Sequence, residues 1–463
     1  MLHRRLPILE LLPICLFQDL CSVQRSVEFG LTITHYLNLD GNIDLEGESQ
    51  LVQTLNSDLE VNSSGTLEKD QQGTRDLFTY DYWASPVGVS STIANNTSYT
   101  VPDILRNGTN PATPTTITFL TSGYDGATSG SNISIADYWI WKFNNLPDDD
   151  YASWQHVRST GTLLVGEGFT MKGTSGTTTI STDQNYVFKG LPNNGDITLP
   201  LDKSSGDVER LVGNPYPSAI DAEEFILDNL SDADGGNNTV NVINGAVYFW
   251  DHFGEENSHY LRDYVGGYAT YNLTGGTAAI SNDVRINNTS DGGSPAVGTK
   301  VPGKYIPVNQ GFFVSTEIEG HFNYNSPAAA ISTVDGGSIV FKNSQRVFVT
   351  EQAATSTFLR TSGKKKKQKV IEDNAVKLPS IRIIYDSPKG YHRQLLLGVN
   401  PHASKGFDLG YDAFMVDVNE EDMYWNIEGG KFVIQGIFIV CDKKFFGKSV
   451  GRFYFKLFYI SKT

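Results

Sequence analysis

The sequence predicts an all-β protein: a short N-terminal β-solenoid-like or meander segment followed by tandem β-sandwich modules of the jelly-roll kind. Short β-branched and aromatic runs recur along the chain, bounded by Gly, Asn, Asp and Pro, which is typical of strands and turns. The chain has 45 glycines and is 11% aromatic, a composition that favours turn-rich sheets. Four short signatures occur twice in the same order, which indicates tandem modules.

The N-terminal part divides into two predicted segments. Residues 1–30 are atypical: a basic start and an apolar stretch from Leu6 to Phe17, interrupted by Glu10, indicate a signal peptide of poor quality. Residues 31–75 alternate apolar and polar residues in very short runs that Gly and Asn interrupt. Such a pattern predicts either the stacked rungs of a short β-solenoid or a plain meander.

The repeated signatures predict two related β-sandwich modules, residues 76–200 and 201–360. The four pairs are YWASP with NPYP, DYWIWKFNN with AVYFWDHFG, LLVGEGFTMKG with IPVNQGFFVST, and NYVFKGLPNNGD with SIVFKNSQRVF. If the modules are related, Pro86 corresponds to Pro217 and Gly168 to Gly311.

A proline corner, LVGNPYPSAID, spans residues 211–221. Pro215 and Pro217 cannot donate a backbone hydrogen bond, so we expect the preceding strand to end there. Asp221 and Glu224 fit a capping box, which predicts a short helix after the corner. We interpret the corner as a strand-to-helix crossover and not as a ligand site.

The C-terminal part is predicted to contain a linker, a third β segment and a foreign-looking tail. The linker is residues 361–375, the third segment residues 376–440 and the tail residues 441–463. The tail has six basic residues and one acidic residue, although the whole chain has a net charge of −16. We expect this tail to lie outside the sheet of the third segment.

Charge and cysteine content limit the function classes. A net charge of −16 repels nucleic acid, so no nucleic-acid partner is expected. The three cysteines, Cys15, Cys21 and Cys441, leave the central region without disulfides. No apolar run reaches the roughly 18 residues of a transmembrane span.

Motifs that would indicate chemistry are few. GKSVG at 447–451 matches a nucleophile elbow, but no His, Asp or Glu follows it to complete a triad. His252, Glu255, Glu256 and His259 are close in sequence, yet their spacing favours a polar loop over a zinc site. Asp232 and Asp234, beside glycines and amides, are the calcium candidates. The sequence predicts no catalytic residue and no cofactor apart from calcium at that loop.

Two aromatic runs raise the question of sugar binding. One contains Tyr138, Trp139 and Trp141, and the other contains Tyr248, Phe249 and Trp250. Alternation along a strand would turn some of these rings outward, where they could stack on sugars. The alternative is that all six rings belong to the core of a sandwich.

The signatures YDYWASPVG, LVGNPYPSAIDAEEF, AVYFWDH, VNQGFFV and GGKFVIQG together resemble a family of β-rich exported proteins of Bacteroidota, chiefly flavobacteria. The resemblance covers about residues 40–436. It implies a signal peptide and a C-terminal sorting domain that the type IX secretion system reads. We expect the sorting domain to be missing here, since the composition turns basic where it should begin. The resemblance transfers no catalytic residue.

These observations favour an exported structural or adhesion protein without catalytic activity, located at the cell surface or outside the cell. Its expected partners are surface glycans or matrix proteins. The alternatives are a carbohydrate-binding module and a polysaccharide-active enzyme, either a lyase or a hydrolase.

Overall fold

A computed structural model describes most of the chain. The described residues are 9–17, 28–61, 65–91, 94–147, 151–175, 183–204, 206–253, 258–281, 296–298, 300–318, 333–351, 356, 358, 379–388, 391–415, 418–419, 421–438 and 457–461. Strands and turns dominate these ranges, and only two short α-helices occur in them, so the all-β prediction is confirmed. In the same ranges no helix is long and apolar enough to span a bilayer.

The N-terminal segment is a stack of parallel strands. Its strands are β1 (Leu9–Phe17), β2 (Gly30–Leu39), β3 (Asn42–Leu45), β4 (Gln50–Gln53), β5 (Asp58–Val61) and β6 (Thr66–Thr74). β2 pairs in parallel with β4, Gly30 opposite Gln50, and β3 pairs in parallel with β6, Asn42 opposite Thr66. Neighbouring strands of a meander would be antiparallel. The segment is therefore a short β-solenoid, the first of the two predicted alternatives.

The first module follows the solenoid. It contains α1 (Val101–Ile104) and the strands β7 (Tyr80–Trp83), β8 (Val87–Gly88), β9 (Leu105–Asn107), β10 (Thr115–Thr116), β11 (Thr118–Leu120), β12 (Ala127–Ser129), β13 (Asn132–Ala136), β14 (Trp141–Leu146), β15 (Trp154–His156), β16 (Phe169–Lys172) and β17 (Asp183–Pro192). β17 pairs antiparallel with β6 of the solenoid, which joins the two parts through one sheet.

The second module contains α2 (Ala222–Asp228) and the strands β18 (Ile197–Leu201), β19 (Glu209–Gly213), β20 (Ala219–Asp221), β21 (Val247–His252), β22 (Gly266–Asn272), β23 (Gly275–Thr277), β24 (Ile280–Ser281), β25 (Ala296–Val297), β26 (Tyr305–Ile306), β27 (Gly311–Ser315), β28 (Gly337–Phe341) and β29 (Arg346–Val347). The largest sheet has the order β15-β14-β19-β27-β21-β22-β23 and takes strands from both modules. The predicted boundary between residues 200 and 201 falls inside β18, so the modules are not separated where the sequence suggested.

The two modules repeat one pattern of pairing. In the first, β7 is antiparallel to β16 and Trp83 lies opposite Phe169. In the second, β19 is antiparallel to β27 and Val212 lies opposite Phe312. In each module a short strand (β8, β20) and a short helix (α1, α2) follow, and the aromatic strand later forms an antiparallel pair, β14 with β15 and β21 with β22.

A matched turn before each of the two strands β16 and β27 reaches across to the other module. Gly166 and Asn309 both have positive φ, 85° and 68°, in these turns. The Gly166 carbonyl accepts from the Gly213 amide at 3.0 Å, and the Asn309 carbonyl accepts from the Ala84 amide at 2.8 Å. The modules are thus hydrogen-bonded to each other in a reciprocal way.

These bonds define which residues correspond between the modules. Gly168 corresponds to Gly311, the register that the sequence predicted. Ala84 donates to Asn309 and Gly213 donates to Gly166, and these two acceptors lie in the matched turns, so Ala84 corresponds to Gly213. Two residues further along, Pro86 therefore corresponds to Pro215 and not to the predicted Pro217. Pro217 is an addition of the second corner.

The proline corner leads into a helix as expected. Asp221 is the N-cap of α2, and its carboxylate accepts from the amides of Glu223, at 2.9 Å, and Glu224, at 3.4 Å. An N-cap of this kind satisfies amides that have no partner within the helix.

The third segment shares a core with the second module. Its strands are β30 (Ser380–Asp386), β31 (His392–Val399), β32 (Ala413–Phe414), β33 (Glu421–Ile427), β34 (Gly430–Ile437) and β35 (Leu457–Ser461). One hydrophobic cluster includes Phe312 of β27 together with Trp425 of β33. A second cluster fills the solenoid and the first module and includes Leu37 and Trp83. The predicted linker at 361–375 lies outside the described residues.

The C-terminal tail extends the sheet of the third segment, contrary to the prediction. β35 pairs antiparallel with β33 over five residues, from Leu457 opposite Trp425 to Ser461 opposite Glu421. An edge strand needs only matching backbone donors and acceptors, which is why its unusual composition did not exclude it. The remaining tail residues, and with them the GKSVG motif, lie outside the described ranges.

Candidate functional site

The two predicted aromatic runs have different surroundings. Tyr248, Phe249 and Trp250 on β21 are buried, since β21 lies between β27 and β22 in the middle of the seven-stranded sheet. Tyr138 and Trp141 are half-buried, because β14 has only the three-residue strand β15 between it and the edge of that sheet. Rings available to a ligand therefore belong to the first run.

Four rings form what we call the aromatic surface: Tyr124, Tyr138, Trp141 and His156. Trp141 and His156 are a cross-strand pair of β14 and β15, with ring centroids 3.9 Å apart and planes 4° from parallel. Tyr138 stands at 82° to Trp141. Tyr124, 54% exposed, meets Tyr138 edge to face at 4.9 Å. The result is one flat stacked pair with Tyr138 upright against it and Tyr124 packed on Tyr138.

The imidazole of His156 is fixed in this arrangement. Its Nε2 lies 2.9 Å from the carbonyl oxygen of Tyr138, so Nε2 carries the proton that is donated. Partial burial lowers the pKa of His156, and the nearby Arg158 charge acts in the same direction. The ring is therefore neutral at pH 7 and stacks on Trp141 as an uncharged aromatic.

A polar group borders the aromatic surface. Arg158 lies with its guanidinium carbon 5.8 Å from the ring centroid of Tyr138. Its Nη1 donates to Asp137, whose side chain is 1% exposed, at 3.3 Å. The other oxygen of Asp137 accepts from the amide and hydroxyl of Ser159, at 3.2 and 2.8 Å. Asp137 thus anchors the turn that presents Arg158.

A buried lysine lies under the aromatic surface. The Nζ of Lys172, at the end of β16, lies 3.5 Å from the ring centroid of Trp139, 4.5 Å from that of Tyr80 and 5.1 Å from that of Tyr264. It also donates to the Tyr264 hydroxyl. We call Lys172 with these three rings the lysine cage.

The lysine cage connects to the surface through a histidine. Lys172 Nζ lies 3.1 Å from Nδ1 of His259, and Nε2 of His259 lies 2.7 Å from Asp125, which is largely exposed. The His259 ring stacks on Trp139 at 4.8 Å. Both ring nitrogens of His259 are therefore engaged.

Burial dominates the electrostatics of this cluster. It lowers the pKa of Lys172 to about 6, against the opposing effect of Asp76 and Asp125. It also lowers the pKa of His259, which the hydrogen bond to Asp125 partly offsets. Three ring faces favour a charged ammonium, so burial and the rings act in opposite directions on Lys172.

The predicted calcium candidates lie elsewhere, on a short 3₁₀ helix from Asp232 to Asp234. The Asp234 carboxylate accepts from Ser231 Oγ at 2.9 Å and from Asn241 Nδ2 at 2.7 Å, and Asp232 is exposed. Over the ranges that the structure describes, no group of three or more His, Cys, Asp or Glu residues could hold a metal ion. Calcium at this loop stays a prediction.

The zinc motif is not assembled in the described residues either. His252 is buried on β21, whereas His259 contacts Trp139 and Lys172. Glu255 and Glu256 lie outside the described residues. The prediction that this stretch is a polar loop is therefore not tested at Glu255 and Glu256.

Sequence reasoning missed Tyr124, His156, Arg158 and Lys172. The pairing of Trp141 with His156 depends on the register of two strands 15 residues apart, and nothing local in the sequence specifies that register. One local signal could have identified Lys172. Its neighbours on β16, Phe169 and Met171, are apolar, which places this lysine at the end of a buried strand.

Comparisons with known proteins give a family but no activity. No curated protein and no solved structure matches the chain. One family model, described as a domain of unknown function, DUF8693, matches residues 125–444. The match spans more than two thirds of the chain and includes Tyr138, Trp141, His156 and Arg158, while the solenoid lies outside it. The chain therefore belongs to the DUF8693 family.

Proposed function

We propose that the protein is an exported, non-catalytic adhesion protein that binds glycans through the aromatic surface, at the cell surface or outside the cell. The carrying observation is the stacked Trp141–His156 pair with Tyr138 upright beside it and the exposed Tyr124 packed against Tyr138. A pyranose has an apolar C–H face, whose partial positive charge complements the negative face of an aromatic ring.

The arrangement supports sugar binding because the rings are ordered by protein contacts alone. His156 is fixed by Tyr138, and Tyr138 packs against Trp139 at 4.8 Å. A surface that is ordered before the ligand arrives loses less conformational entropy on binding. Flanking polar groups, Arg158 and Asp125, can donate to and accept from sugar hydroxyls.

A polysaccharide-active enzyme is the second candidate, and the lysine cage is the observation that bears on it. A lysine with a pKa of about 6 could act as a base. Lys172 is only 2% exposed, however, and both nitrogens of the covering His259 are hydrogen-bonded. These contacts favour a binding surface with a structural lysine beneath it.

The test is a glycan array followed by titration calorimetry on the best glycan. Trp141→Ala is expected to weaken binding about tenfold, since losing part of a buried aromatic contact costs roughly 1.4 kcal/mol. Trp141→Phe keeps a ring and is expected to lose less. Leu55→Ala, at a 63% exposed apolar residue of the solenoid, is the matched control and should bind like the unaltered protein.

Three results would overturn the proposal or a part of it. Absence of any glycan binding would remove the function, and binding that Trp141→Ala leaves unchanged would remove the site. Release of reducing sugar or of unsaturated sugar from the bound glycan would favour the enzyme instead. Thermal melting of each variant verifies that it is folded.

A further inference from the structure

Arg158 has a backbone conformation that arginine rarely adopts. Five non-glycine residues in the described ranges have positive φ, and three of them are asparagine, which tolerates this conformation. Of the other two, Glu428 lies in the β33–β34 hairpin turn, where positive φ is expected. Arg158, with φ of 57°, lies at the border of the aromatic surface. Strained residues of this kind concentrate at functional sites.

The guanidinium of Arg158 is anchored on one side only. Nη1 donates to the Asp137 carboxylate at 3.3 Å and makes a longer contact of 3.5 Å to the carbonyl of Thr121. Nε and Nη2 make no hydrogen bond to the residues that the structure describes. The Arg158 side chain is 41% exposed. Nε and Nη2 are one of the two edges with which arginine binds a carboxylate or sulfate through paired hydrogen bonds.

The anchor itself is rigid. Asp137 is 1% exposed and takes part in the turn through Ser159, so it fixes Nη1 from inside the protein. A fixed guanidinium loses little freedom when it binds an anion. Lysine could not replace this function, because an ammonium group has no planar edge.

We propose that Arg158 is the anion-binding residue of the aromatic surface, and that its ligands are acidic polysaccharides carrying carboxylate or sulfate groups. This inference rests on the proposed glycan-binding function and names its substrate class. The sugar ring stacks on the Trp141–His156 pair, and its acidic group takes the Nε–Nη2 edge. The net charge of −16 opposes anions at long range, so selection for acidic sugars depends on this local contact.

The experiment compares matched acidic and neutral probes by calorimetry: polygalacturonate oligosaccharides, the same oligosaccharides after reduction of their carboxyl groups, and chondroitin sulfate. The unaltered protein is expected to bind at least one acidic probe about 10- to 100-fold more tightly than the reduced oligosaccharides. Arg158→Gly is expected to abolish that preference, because the affinity for the acidic probe should fall about 10- to 100-fold while the affinity for the reduced probe falls by a much smaller factor. Arg158→Lys should recover only a small part of it.

The variants separate binding from folding. Glycine adopts positive φ without strain, which offsets part of the loss of the ion pair with Asp137, so Arg158→Gly should still melt cooperatively and well above the assay temperature. Lys405→Gly removes one exposed positive charge in the third segment and should keep the preference. Equal affinity for acidic and reduced probes, or an acidic preference that survives Arg158→Gly, would overturn the inference while the glycan-binding function stands. Failure to bind any glycan would overturn both.

Discussion

Replacing Asn214 with alanine should destabilise the protein more than the equivalent replacement in the other proline corner. Asn214 is fully buried, and its Nδ2 lies within hydrogen-bonding distance of the carbonyls of Ser218, Pro307 and Ile306, at 2.8, 3.0 and 3.3 Å. Its Oδ1 accepts from the Tyr216 amide at 3.1 Å. At about 1 kcal/mol for each bond, with buried carbonyls left unpaired, the expected loss is about 3–4 kcal/mol.

The other module supplies the matched control. Ser85 occupies the position equivalent to Asn214, and its hydroxyl makes two bonds, both to Val87, at 2.6 and 3.2 Å. Ser85→Ala is therefore expected to cost about 1–2 kcal/mol. Urea unfolding followed by tryptophan fluorescence and near-ultraviolet circular dichroism measures both variants. An Asn214→Ala loss no larger than the Ser85→Ala loss would refute the reasoning that the corner is held by side-chain amide bonds.

Two further predictions concern buried charges. The pKa of Lys172 is about 6 in the folded state and near 10.4 in the unfolded state. Between these two pH values the unfolded state binds more protons than the folded state. The free energy of unfolding should therefore rise with pH in this range, by up to about 1.4 kcal/mol per pH unit. Lys172→Met should flatten the dependence of the melting temperature on pH between pH 6 and 10, whereas the control Lys405→Met should not. If Lys172→Met leaves the slope unchanged, the surrounding rings keep Lys172 charged. Arg393 donates to both oxygens of the buried Asp422, at 2.8 and 2.5 Å, so Arg393→Met should cost about 3–5 kcal/mol. Arg393→Met with Asp422→Asn should recover part of that loss, and a double variant as unstable as the single one would contradict this account.

Features that depend on neighbouring residues along the chain were predictable from the sequence. Alternation and turn residues indicated strands, and the all-β fold followed from them. Pro215 and Pro217 indicated the corner, and Asp221 indicated the start of α2. These features have local physical causes: a missing amide proton, a fixed φ, or a side-chain oxygen beside free amides.

Features that depend on which strands become neighbours were decided by the tertiary structure. The sequence left solenoid and meander open, since the alternation is the same for parallel and antiparallel strands. Trp141 and Trp250 belong to similar aromatic runs, yet Trp250 is buried in mid-sheet and Trp141 borders the surface. The tail appeared foreign by composition, but β35 pairs through its backbone, which composition does not describe.

Almost the whole candidate site depends on which strands become neighbours. One aromatic run suggested Tyr138 and Trp141, but His156 joined them only through the register of β14 and β15. Arg158 has no sequence motif around it, and its importance comes from a positive φ and from the buried Asp137 that anchors it. A chain specifies its strands through local alternation, whereas the rings and charges that meet at a surface depend on strand order, register and distance from a sheet edge.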